Sequence, residues 1–227
     1  MDKRINIVTG HYGSGKTEFA LNLAFLLKKS HDRVYIVDLD IVNPYFRTVD
    51  AKRELEAVGI EVIASEYAGT NVDIPALPPE IMRVFNDRSA AVVFDVGGDD
   101  AGAVALGGYK RYFENEPYEM LLVINTLRPM TAAADEIVKM LEDIEKASRL
   151  KVTGLVNNSN LAQLTTAGEL IRGQAICEEA SRLSAVEIKY VSGMREVISA
   201  LPEDIKNKAF EIKRYLLLPE SRVGGVV

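Results

Sequence analysis

The sequence predicts an α/β fold, with a mostly parallel β-sheet flanked by helices on both faces. Three observations lead there. Short apolar runs rich in β-branched residues recur along the chain, and each is followed by a longer stretch with helical spacing. No interdomain linker, internal repeat or low-complexity stretch interrupts that alternation. Residues 1–227 therefore read as a single domain, closed by a helix over about 203–218 and a short tail, 219–227.

The elements follow in order. Residues 5–8 form the first strand, and 16–28 a helix with Phe19, Ala20, Leu23, Ala24 and Leu27 on one face. A strand over 34–37 leads to a helix over 48–58, stopped by Gly59, and then to a strand over 60–64. Gly69, Asn71, Pro75 and Pro78 break the rhythm, so 65–79 reads as a loop; Pro78 or Pro79 starts a helix reaching about Asn86. The strand 90–94 runs into a second loop, 97–108, rich in Gly and Asp. Strands over 121–124, 152–156 and 186–191 complete the sheet, with helices over 131–148, 166–184 and 203–218.

Composition excludes more than it names. The balance of 27 Lys+Arg against 33 Asp+Glu gives a net charge of -6, which argues against broad electrostatic binding to nucleic acid. A single cysteine, Cys177, excludes a disulfide framework and any thiolate metal site built by one chain. No uncharged apolar run reaches the ~20 residues of a spanning helix, so a cytoplasmic location is expected.

The strongest local signal is Gly10-His11-Tyr12-Gly13-Ser14-Gly15-Lys16-Thr17, which matches G-x4-G-K-[ST] between a strand and a helix. Glycines let successive N–H groups turn inward toward phosphate oxygens, and the helix N-terminus adds partial positive charge. Lys16 is placed to reach the β- and γ-phosphates, and the Thr17 hydroxyl to bind Mg²⁺. A chance match is expected in roughly one such chain in a hundred. A dinucleotide-binding frame fails, because it needs glycine where Glu18 stands.

Three more segments fit the same site. Asp38 and Asp40 end the second strand, where one carboxylate suits the Mg²⁺ shell and the other an attacking water; a helix cap or loop acid is the plainer alternative. Asp95 ends an apolar strand before Gly97 and Gly98, as a metal-binding acid followed by a pliant switch segment. Asn157 and Asn158 end a late strand with amides able to read a purine edge, or simply to cap a turn.

Together these segments resemble the MinD/ParA branch of the P-loop NTPases, which includes the dethiobiotin synthetase and cobyrinate amidase relatives. The resemblance runs from Ile5 to roughly Val191. It implies a P-loop NTPase fold and a Walker A loop whose nucleotide contacts are Gly10, Gly13, Ser14, Gly15, Lys16, Thr17 and Glu18. It implies catalytic roles for Lys16, Asp38 and Asp40, with Asp40 positioning the hydrolytic water, and a Mg²⁺ shell of Thr17, Asp38 and Asp95. Asn157, with Asn158, would contact the base. His11 stands where MinD and ParA carry an extra lysine, so Arg47 or Arg128 is the candidate for compensating charge. Asn160 replaces the aspartate of the guanine-reading N-K-x-D pattern, which favours ATP over GTP.

The function expected is an Mg-dependent switch that hydrolyses nucleotide and acts on an unidentified protein partner, with a nucleotide-dependent homodimer as one state. A small-molecule ligase or kinase of the synthetase type is the first alternative. An accessory ATPase for metallocluster maturation is the second, with Cys177 the residue that a shared metal would need. Membrane binding through 205–218 is not expected. Its stripe of Ile205, Ala209, Ile212 and Leu216 reads as a helix packed on its own sheet.

Overall fold

A computed structural model describes residues 3–39, 48–64, 79–97, 100–114 and 116–216. Strand β1 (Ile5–Thr9) enters helix α1 (Lys16–Lys28), and β2 (Val34–Leu39) ends just before residues 40–47. A 3₁₀ turn (Thr48–Ala51) and α2 (Lys52–Ala57) lead to β3 (Ile60–Ala64) and, past residues 65–78, to α3 (Pro79–Asn86). Strand β4 (Ala91–Val96) is followed by α4 (Asp100–Gly107), α5 (Lys110–Phe113) and β5 (Tyr118–Ile124). After a 3₁₀ turn (Pro129–Thr131) come α6 (Ala134–Ser148), β6 (Gly154–Asn157) and α7 (Ala167–Ser184). The chain closes with β7 (Ile188–Gly193), α8 (Arg195–Ser199), α9 (Glu203–Lys206) and β8 (Ala209–Glu211).

The eight strands lie in the order β3-β2-β4-β1-β5-β6-β7-β8, and every pairing is parallel. The predicted sheet with helices on both faces is therefore present. Its central strands are buried on both sides, which is why they read as near-continuous apolar runs. Alternation still sorts their side chains. Val8, Ile36, Val93, Val123 and Val156 pack against α1, while Ile7, Val37, Phe94, Leu122 and Leu155 pack on the face of α3, α6 and α7. Helix α7 starts on a capping box, with the Glu169 carboxylate accepting the Thr166 backbone N–H at 2.8 Å.

Two expectations are corrected. The predicted loop over 97–108 contains a helix, α4, because Ala103 and Leu106 bury one face and Gly102 lets the helix start pass close to Gly97. A Cβ on Gly102 would lie 2.4 Å from the Gly97 carbonyl oxygen. The predicted C-terminal helix over 203–218 is one turn, α9, followed by strand β8 and an extended segment to Leu216. Edge pairing outweighs the helical spacing: Val191 N–H donates to the Lys208 carbonyl and Ile212 N–H to the Gly193 carbonyl, each at 2.8 Å. Phe210 and Ile212, two apart, then fall on the α1 face, where the Phe210 ring centroid lies 4.7 Å from that of Phe19. Smaller shifts are at boundaries: the predicted helix over 48–58 divides into the 3₁₀ turn and α2, and that over 131–148 begins at Ala134. Among the described residues, no helix is long and apolar enough to cross a membrane.

The strand assignment predicts that Phe210→Ala lowers unfolding stability by about 3 kcal/mol, while truncating exposed Lys208 changes it by less than about 0.5 kcal/mol. Urea titration measures both; equal small losses would contradict the docking of β8 on α1.

Candidate functional site

Strand β1 delivers the chain into the glycine-rich loop at the carboxyl edge of the sheet, where open α/β folds gather their ligands. Glycine is required at two positions. Gly10 has φ +155°, and a Cβ there would lie 2.3 Å from the Val123 carbonyl oxygen. Gly15 has φ +83°, and its Cβ would meet Asn158 Nδ2 at 2.4 Å. Helix α1 begins on Gly15 without a side-chain cap, leaving its first N–H groups for a ligand. Ser14, Lys16 and Thr17 are buried there, and Ser14 Oγ has no hydrogen-bond partner among the described residues. That hydroxyl is free to bond a phosphate oxygen or a water.

The loop is held from behind. Asn158 donates from Nδ2 to the Ser14 carbonyl at 2.7 Å and accepts at Oδ1 from Ser192 Oγ at 2.8 Å. Asn125 Nδ2 donates to the Gly13 carbonyl at 3.4 Å and to that of Asn160 at 3.0 Å, and Arg128 Nε donates to Gly13 at 3.2 Å. Asn125 is itself fixed, since its Oδ1 accepts from Leu127 N and Asn160 N, and its carbonyl accepts from Thr131 Oγ1. Residues 13 and 14 thus have their carbonyls engaged on one side, which preorganises the loop before any anion arrives.

Asp38 and Asp95 are Cα partners across β2 and β4, and Val8 of β1 flanks Asp95 on its other side. Alternation puts both acids on the face that carries α1; both are buried. Two buried carboxylates side by side need a cation or donors. Thr48 supplies one donor, with Oγ1 donating to Asp95 Oδ2 at 2.9 Å. Hard oxygen donors near a phosphate loop fit Mg²⁺, which typically takes one or two carboxylates and completes its shell with water and phosphate. Among the described residues, no cluster of three or more His, Cys, Asp or Glu exists to form an all-protein metal cage. Asp40, Arg47, Gly98 and Asp99 lie outside the described residues.

A cavity of about 610 Å³ opens beside the loop. Gly13, Gly15, Lys16 and Thr17 line one part of it, and Ala162, Met194, Ile212 and Leu216 supply apolar wall. The far wall depends on an arrangement that no local motif announces. The carboxylate of Glu18 accepts the backbone N–H groups of Tyr215 and, at 3.2 Å, Leu216. Asn22 pairs with Lys213 in both directions, Nδ2 to the carbonyl and N–H to Oδ1, each at 2.8 Å. The C-terminal segment is thereby tied to α1. Burial pushes the Glu18 carboxyl pKa up, and those two N–H bonds oppose the shift.

The asparagines divide the work differently from the sequence expectation. Asn157, expected at the base, shares a face with Leu155 and points toward α7, where Nδ2 donates to the Leu170 carbonyl at 3.0 Å and to Gln174 Oε1 at 3.2 Å. Asn158 and Asn160 line the cavity instead. Glu18 also lines the cavity, with its carboxylate committed to the C-terminal segment. His11, half-buried, places Nδ1 2.9 Å from the Tyr12 carbonyl. Cys177 is wholly buried in α7 and its thiol is pushed up to about 12, which removes it as a ligand shared between two subunits.

The sequence profile of the CobQ/CobB/MinD/ParA nucleotide binding domain matches residues 5–214. The chain belongs to this family. No curated protein matches it in sequence. Among solved structures it is similar in fold to FtsY from Mycoplasma mycoides, at TM-score 0.57 and 16% identity over 85% of this chain and 61% of that one. FtsY from Thermotoga maritima gives TM-score 0.56 at 18% identity, covering 96% and 66% of the two chains. The signal recognition particle 54 kDa protein from Aeropyrum pernix, solved with GDP, gives 0.55 at 22% identity over 85% and 41%. The chain spans less than two thirds of the length of each of these proteins. The family's nucleotide-binding role agrees with the loop geometry.

If Asn158 ties the loop rather than reading a base, Asn158→Ala loses about 1–3 kcal/mol of stability without ligand and weakens ATP and GTP binding by the same factor. Denaturant titration and isothermal calorimetry check this; a change in the ATP:GTP preference alone would identify a base contact.

Proposed function

We propose that this domain is an Mg²⁺-dependent ATPase whose nucleotide state acts as a switch on a protein partner. The observation that carries the reading is the carbonyl-clamped phosphate loop, with the buried Ser14 hydroxyl and the uncapped start of α1 on the sheet face that presents Asp38 and Asp95.

In this reading the loop N–H groups and Lys16 bind the β- and γ-phosphates and hold them in line for attack. Thr17, Asp38 and Asp95 would hold Mg²⁺, which when bound would neutralise charge on the phosphoryl oxygens. Asp40 orients the attacking water. Arg128, anchored on Gly13 at the cavity wall, supplies a guanidinium in cis where His11 replaces the lysine of MinD and ParA.

The preference for ATP has a structural argument. Guanine is selected by a carboxylate that accepts its two N–H groups, and Glu18 is the one carboxylate among the described cavity-lining residues. It is already committed to Tyr215 and Leu216. Asn160 is committed as well, donating to the Asn158 carbonyl at 2.7 Å and accepting from Ala162 N at 3.1 Å. Adenine asks for no carboxylate.

A protein partner is supported by the cavity surroundings. Tyr12, which lines the cavity, and Leu164, beside its lining residue Thr165, are 60% and 78% exposed. Leu127, Met130 and Leu161, from the segments that clamp or adjoin the loop, are exposed too. Apolar residues gathered at a ligand site suit a surface covered in one nucleotide state. A second copy of the chain is one candidate for that cover.

Two measurements test the proposal. Lys16→Ala should lower ATP affinity by about a hundredfold or more in calorimetry with Mg²⁺, with native circular dichroism; unchanged affinity would refute the phosphate-loop reading. Arg128→Ala should reduce ATP turnover at saturating ATP by about tenfold or more, a loss separate from any weakening of ATP binding caused by releasing the Gly13 carbonyl. Unchanged turnover would remove Arg128 from the mechanism.

A further inference from the structure

Thr48 was not marked by any sequence motif, yet it occupies a decisive place. It is the first residue after the segment 40–47 and it is wholly buried. The 3₁₀ turn it begins packs against α1, β2 and β3, and the turn is pinned by Ala51 and, one turn into α2, Leu55, both in the α1-side core. From this anchored backbone its hydroxyl donates to Asp95 Oδ2 at 2.9 Å.

The consequence is geometric. A carboxylate at the end of a strand rotates easily about its last torsion, whose energy wells are broad. A charge-assisted hydrogen bond from a fixed β-branched residue removes that freedom, because the Thr48 χ1 angle is itself stiff. Asp95 is thus oriented before a cation arrives, beside Asp38 on the α1 face. Donors that orient a metal-binding side chain set metal affinity without touching the metal.

We propose that Thr48 is the positioning residue of the metal carboxylate, and that its hydroxyl sets the Mg²⁺ affinity of the nucleotide complex through Asp95. The proposal rests on the reading of this site as an Mg²⁺-nucleotide site.

The test uses the full chain saturated with ADP and titrated with Mg²⁺ by calorimetry, with ADP affinity measured separately in EDTA. Thr48→Val keeps the shape and removes the donor. It should weaken Mg²⁺ binding about 10- to 100-fold, while ADP affinity in EDTA stays within about twofold. Thr48→Ser keeps the donor and should retain Mg²⁺ affinity within about threefold. If Thr48→Val does not fold, Thr48→Ala is judged by the same two numbers. Mg²⁺ affinity unchanged by loss of the hydroxyl overturns the proposal. So does an equal loss in Thr48→Ser, or a parallel loss of ADP affinity in EDTA, because either would assign Thr48 a packing role. Wild-type protein that binds ADP neither in EDTA nor with Mg²⁺ present would overturn the phosphate-loop reading itself, and this inference with it.

Discussion

A loop that binds phosphate must turn its amides toward the anion, so its carbonyls must be held elsewhere. Here the carbonyls of Gly13 and Ser14 are engaged by Asn125, Arg128 and Asn158, residues delivered by the ends of β5 and β6. Much of the site depends on that support. It fixes the loop between strand and helix and forces glycine at position 15, where a Cβ would meet the Asn158 amide. The donor on Ser14 is the neutral amide of Asn158, while the Arg128 donor on Gly13 also places a guanidinium at the cavity wall.

The same helix joins the loop to the rest of the cavity. Helix α1 is buried beyond a single face, because the sheet covers one side and the C-terminal segment covers another. Glu18, Asn22 and Phe19 hold that segment, so one helix carries the phosphate contacts at its start and the cavity wall along its flank. A disturbance at either place is transmitted through a rigid element rather than a loop. On the other side of the site, Thr48 links the chain leaving residues 40–47 to Asp95.

Much of the fold was legible because strands buried on both faces leave a continuous apolar signal, and because the phosphate loop is contiguous in sequence. The phosphate loop, Asp38 and Asp95 came from local patterns of that kind. The supports did not, because they join residues far apart: 112 positions from Asn125 to Gly13, 144 from Asn158 to Ser14 and 191 from Asn22 to Lys213. The C-terminal error has a specific cause. Ile205, Ala209, Ile212 and Leu216 satisfy a helical period, while Phe210 and Ile212 satisfy a strand period, and the open edge of β7 decides between them. The Asn157 expectation had a warning in the sequence. Two-residue alternation places it with Leu155, on the sheet face away from α1.

The central claim is that this braced loop is where a nucleotide places its phosphates. Amide hydrogen exchange of the full chain, with and without ATP and Mg²⁺, tests it most directly. The account predicts slowed exchange at the amides of residues 13–19, with the interior around Asn157 and Cys177 already slow and unchanged. Exchange at 13–19 unaffected by saturating ATP and Mg²⁺, or protection appearing only elsewhere, would contradict it.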